Sequence, residues 1–135
     1  MSIIKELTVM DDNGEVKSKH RWKSHPNPEG FVLMYRNAME ELAINAPNFA
    51  VMKIFVLLSS MQQYKEAIIT TQKSIAEKLG ISQVHTSRAF KWLKENGYIG
   101  EQKINGIKQF VLNPNVTTCG RNRQEKNLQW EAATN

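Results

Sequence analysis

Thr70 to Asn113 reads TTQKSIAEKLG, then ISQVHTSRAFKWLKENGYI, then GEQKINGIKQFVLN. In the first piece Ile75, Ala76 and Leu79 recur at helical spacing behind Thr71, whose hydroxyl can accept a hydrogen bond from an unpaired amide of the first turn. Gly80 follows, where a left-handed backbone costs glycine little, and Ile81 is placed to drop between two helices. Ser82 caps the second helix, in which Thr86, Phe90, Leu93 and Gly97 mark the buried face and its end. Tyr98 to Ile104 and Ile107 to Leu112 are rich in branched and aromatic residues, and Asn105-Gly106 between them suits a type I′ turn. Two short helices, a glycine turn and a hairpin predict, in that order, a winged helix-turn-helix, a fold whose second helix fits the major groove of DNA.

The face of that helix opposite Phe90 and Leu93 carries Gln83, Val84, His85, Ser87, Arg88 and Lys91. Arginine pairs with guanine in bidentate fashion, glutamine with adenine, and valine touches a thymine methyl, so this set suits base edges and phosphates. The same residues also make an ordinary solvated helix surface; the adjoining glycine turn and hairpin favour DNA. Thr71, Gln72, Lys73 and Ser82 at the two helix starts, and Lys103, Asn105 and Lys108 around the hairpin tip, join the candidate contacts, the lysines toward phosphate.

Working outward, Asn48 is placed to cap a helix whose apolar face is Val51, Ile54, Phe55, Leu58 and Met61, the first helix of the winged domain. Ala67 to Thr70 reads as a short strand that completes a three-stranded wing sheet. Upstream, Phe31, Met34, Tyr35, Ala38, Met39 and Leu42 have the period of an extra amphipathic helix over 31–44, ended by Pro47. Such a stripe packs on its own core or pairs with a twin in a dimer. The connector His25-Pro26-Asn27-Pro28 separates it from an N-terminal hairpin, Ile3–Met10 and Glu15–Trp22 around the turn Asp11-Asp12-Asn13-Gly14. Two readings of Lys17 to Lys23 stand: a strand lying on DNA backbone, or a solvated one. The expected fold class is α+β, divided into hairpin and connector (1–29), winged domain with leading helix (30–115) and basic C-terminal tail (116–135). For the tail, three readings stand: a loose end, an arm touching phosphates through Arg121 and Arg123, or a segment docking through Trp130.

With 41% hydrophobic and 23% charged residues the composition is that of a globular protein, and a net charge of +5 tolerates a nearby polyanion. Cys119 is the only cysteine, which excludes an intramolecular disulfide and a thiolate metal cluster and fits a reducing, cytoplasmic setting. MSIIKELTVMDDNGE lacks the apolar core of a signal peptide, and Ile54 to Leu58 is too short to cross a bilayer. No glycine-rich phosphate loop is present, and His20, His25 and His85 lack metal-ligand spacing. Tyr35, Tyr64 and Tyr98 fall at apolar-patterned or loop positions that read as core rather than as nucleophiles. The expectation is therefore a protein that is not an enzyme and uses no cofactor.

Taken together, DDNGEV, GFVLMYRNAMEEL, AVMKIFVLLSSM, IITTQKSIAEKLGISQVHTSRAFKWLKENGYI and FVLNPNVTTCGRNR resemble the RepL-type replication proteins of plasmids and related phage-borne initiators. The helix-turn-helix itself is shared by many regulators; the wing ending in Val111-Leu112-Asn113-Pro114-Asn115, with Gly120 and Arg121 or Arg123 soon after, is the more specific part. Val116 to Cys119 departs from the pattern in lacking an aromatic residue. The resemblance implies binding to a plasmid origin through Gln83, His85, Ser87 and Arg88, help in starting replication, and recruitment of host replication proteins. A transcriptional repressor or copy-number regulator is the neighbouring alternative, separable by whether deletion of the gene stops replication. A winged domain used only for protein contacts, suggested by Val84 and Trp92 on or beside the exposed face, is the alternative of another class. A homodimer is expected from the two-fold habit of helix-turn-helix proteins.

Overall fold

The computed structural model describes residues 3–24, 32–62, 67–119 and 123–134. The chain forms two compact units, Met1–Phe31 and Val32–Asn135. In the first, β1 (Ile3–Met10) pairs antiparallel with β2 (Val16–Ser24), with a register shift at Val9/Met10. The turn between them is closed by Asp11, whose carboxylate accepts the amides of Asn13 and Glu15, both at 2.9 Å. Glu6 accepts a hydrogen bond from Arg21 across the ribbon at 3.1 Å. The 25–28 connector lies outside the described residues, as does Tyr64.

The second unit is α+β. Its helices are α1 (Arg36–Asn45), α2 (Phe49–Ser60), α3 (Gln72–Leu79) and α4 (Gln83–Glu95), preceded by a two-residue strand, β3 (Leu33–Met34). A hairpin of β4 (Ile99–Ile104) and β5 (Ile107–Leu112) follows, then β6 (Thr117–Thr118) and α5 (Arg123–Thr134). The core gathers Val51, Ile54, Phe55 and Leu58 of α2, Ile75 of α3 and Ala89, Phe90 and Leu93 of α4 beneath Ile99 and Phe110 of the hairpin. Phe90 meets Phe110 with ring centroids 5.1 Å apart, and Phe55 meets Tyr98 edge-on at 5.7 Å. Burying each such ring contributes about 1.5–3 kcal/mol, which is why these residues fix where the helices cross.

Three expectations change in the second unit. The leading helix starts at Arg36 rather than Phe31: Leu33 and Met34 pair with Thr118 and Thr117, and the Tyr35 amide donates to the Val116 carbonyl at 2.9 Å. A non-local pairing has taken residues whose spacing also fits a helix. Tyr35 consequently lies outside the core, 37% exposed at the N-cap of α1. The strand expected at Ala67–Thr70 is a single bridge, Ile68 to Phe110, with both backbone hydrogen bonds at 2.8 Å. The sheet beside it is two-stranded. Finally, the segment after Asn115 carries β6 and a 12-residue helix that packs on β4 and β5. Gly100 makes that contact close, since a methyl group there would lie 3.0 Å from Thr134 Cγ2 and 3.3 Å from the Trp130 ring. Trp130 thus docks within the chain.

Candidate nucleic-acid interface

The turn between α3 and α4 is built from three local devices. The Thr71 hydroxyl accepts the Ser74 amide at 3.0 Å, Gly80 takes φ 68°, and the Ser82 hydroxyl accepts the His85 amide at 3.1 Å. Ile81 is half-buried and packs against the core, so the turn is anchored on its inner side. On α4 the residues facing inward, Thr86, Ala89, Phe90 and Leu93, are all buried. Thr86 can be buried because its hydroxyl donates to the Ser82 carbonyl at 2.8 Å.

Gln83, Val84, His85, Ser87, Arg88 and Lys91 are exposed, as the spacing predicted. At 3.6 residues per turn Val84, Ser87, Arg88 and Lys91 fall on the outward arc, with Gln83 and His85 on its two flanks. The first turn of α4 holds no acidic residue, which leaves its amide end attractive to an anion. Between Thr70 and Asn115, Lys73, Lys78, Arg88, Lys91, Lys94, Lys103 and Lys108 stand against Glu77, Glu95 and Glu101, so this stretch carries +4 of the chain's +5. A second cationic run, Lys17, Lys19, Arg21 and Lys23, lies on β2.

Two of the expected contacts have intramolecular partners. Lys91 lies 3.9 Å from Glu95 one turn on, an exposed pair that water and salt weaken readily. Lys108 donates to Glu101 at 2.8 Å, and Lys94 of α4 reaches the same carboxylate at 2.9 Å. Burial raises the pKa of Glu101, but hydrogen bonds from Lys108 and Lys94 outweigh it and hold the group below the usual carboxylate range. The signal for Glu101 in the sequence is that it is the one acid in the 99–112 hairpin, close to Lys103 and Lys108. It ties the outward helix to the hairpin. Lys103 is exposed at the tip beside Asn105 (φ 52°) and Gly106 (φ 78°), the positive angles an Asn-Gly turn provides.

Among the other candidates Thr71, Lys73 and Ser82 are exposed while Gln72 is half-buried. Arg121 lies outside the described residues, and Arg123 begins α5. Trp92 is not a free surface residue: its ring stacks on Tyr98 at 5.7 Å with 14° between planes. Tyr98 itself is buried, and burial followed by the nearby charge of Glu41 pushes its phenol upward. Asn113 acts as a clip, donating from its side chain to the Gly97 carbonyl and accepting the Asn115 amide, each at 2.9 Å. The Asn-Pro-Asn element therefore seals the base of the hairpin to the end of α4.

The family model for RepL, described as the Firmicute plasmid replication protein, matches residues 8–134, nearly the whole chain. The chain belongs to the RepL family. No curated protein and no solved structure matches it. Membership in RepL makes this a protein of plasmid replication, and in this RepL chain the α3–α4 unit, with the hairpin clipped to it, exposes cationic and hydrogen-bonding groups along one helix face. Among the described residues no group of three or more His, Cys, Asp or Glu is arranged to hold a metal ion, and no helix is long and apolar enough to cross a membrane.

Proposed function

We propose that this RepL protein is a winged-helix protein that binds duplex DNA sequence-specifically and acts at the start of plasmid replication. The observation that carries the reading is the outward arc of α4, where Ser87, Arg88 and Lys91 stand exposed on a helix whose first turn holds no carboxylate. In this reading α4 enters the major groove, Gln83, Val84, His85 and Arg88 meet base edges, and Thr71, Lys73, Ser82, Lys91 and Lys103 meet phosphates. The β4–β5 hairpin serves as the wing. Ile68 extends it by one rung, which is what remains of a third strand.

Nuclease protection on a fragment of the protein's own replicon tests this. A protected stretch that survives excess random duplex at moderate salt supports it, and uniform protection that competitor abolishes refutes it. A homodimer follows from the same reading, with Met39 (46% exposed) and Ile44 (72%) of α1 as the contact. Sedimentation at micromolar concentration checks it, and a monomer both free and on DNA would contradict it.

A further inference from the structure

The helix α2 has the sequence FAVMKIFVLLSS, with a single charge in twelve residues. A helix that is apolar all round is normally covered on all sides, whereas one at the surface turns a polar face outward. In α2 the inward face is Val51, Ile54, Phe55 and Leu58, all buried. The opposite stripe at helical spacing is Phe49, Lys53, Val56 and Ser60, with Phe49 83% and Val56 56% exposed. Met52 and Leu57 flank that stripe, and with Leu79 from the end of α3 they line an open groove of about 590 Å³. Lys53 and Lys78 stand on the same lining, no carboxylate does, and neither lysine makes an ion pair among the described residues.

We propose that this groove between α2 and α3 docks an acidic amphipathic helix of a partner protein. The apolar floor takes a partner's residues at helical spacing, and the two lysines take carboxylates on either side of them. A second copy of this chain fits less well, because the same stripe on it, Phe49, Lys53, Val56 and Ser60, offers no carboxylate to the two lysines. The α2 stripe that lines the groove lies opposite the face through which α2 packs on α4.

The test uses the full chain and two labelled helical peptides of about 14 residues, with identical leucines at i, i+3 and i+7 and either glutamate or lysine flanks. Fluorescence anisotropy is expected to show the glutamate peptide binding about tenfold or more tightly than the lysine peptide, with Val56→Asp and Lys53→Glu each weakening it by about tenfold. Val56 is exposed, so Val56→Ser provides a second variant whose fold is secure, and its unfolding curve verifies that. Absence of binding by either peptide at about 1 mM overturns the proposal. So does binding that ignores flank charge and Val56→Asp, a dimer that Val56→Asp dissociates, or a Val56-dependent attachment to phosphatidylglycerol vesicles. None of these readouts involves DNA, so the result stands apart from the reading of α4.

Discussion

The helices α2 and α4 are 12 and 13 residues long and bury one face each in the same core, yet the outward face of α2 is the more apolar of the two. Inward, Phe55 and Phe90 are both fully buried and reach the hairpin through Tyr98 and Phe110. Outward, α4 shows Ser87, Arg88 and Lys91 with the one apolar residue Val84, while α2 shows Phe49 and Val56 along with Lys53 and Ser60. The inner faces are dictated by packing and would be alike in any such domain. The outer faces are not set by that packing, and it is there that the two proposed ligand surfaces differ.

The strongest way to break this comparison is through the shared interior. Phe55→Ala and Phe90→Ala should each cost about 3–5 kcal/mol in chemical denaturation, because both leave a cavity in one continuous core. A cost below about 1 kcal/mol for either would mean that the helices do not share it. Next comes the outer face of α4: Arg88→Ala should weaken specific DNA binding by about 1–3 kcal/mol while moving stability by no more than about 0.5 kcal/mol. Val56→Ser on α2 should leave both quantities alone. Equal effects on DNA from the two helices would erase the distinction.

Smaller effects sharpen the comparison at the helix ends. Ser82→Ala and Asn48→Ala remove the caps of α4 and α2, whose side chains accept the His85 and Val51 amides, and each should cost about 1 kcal/mol. The smallest effect separates the helices again, since α4 alone is tied to the hairpin through the Lys94–Glu101 pair. Glu101 titrates below its unfolded value, so its contribution is present above the ordinary carboxylate range and is lost as pH falls through the folded value. Stability measured from pH 7 downward should therefore lose less in Glu101→Gln than in the wild type, by under about 1 kcal/mol because the pair is partly solvated. An identical acid limb in the two proteins would show that the carboxylate does not hold the hairpin.

Local grammar made the central unit readable from sequence. Thr71, Gly80, Ser82, Gly97 and Asn105-Gly106 each act within a few residues of themselves, and each does in the structure what its chemistry dictates. The misreadings arise where distant segments decide. Leu33 and Met34 look helical until Thr117 and Thr118, more than eighty residues on, pair with them as strand. The α5 helix is hard to read because RQEKNLQWEAAT offers only Leu128 and Trp130 as large apolar residues, and Trp130 packs into room that Gly100 leaves on a distant strand. Within the site, exposure on α4 was legible from the 3.6 period. The ties of Lys94 and Lys108 to Glu101 were not, because they require the register of β4 on β5 and its approach to α4.

The most direct measurement is the affinity for replicon DNA, against random duplex and across salt, of the wild type and of Arg88→Ala/Lys91→Ala. The account predicts a wild type that prefers its own DNA by about a thousandfold or more, and a double variant that loses most of that preference and shows a salt dependence shallower by about one to two ions. A double variant with unchanged affinity, preference and salt dependence would contradict it.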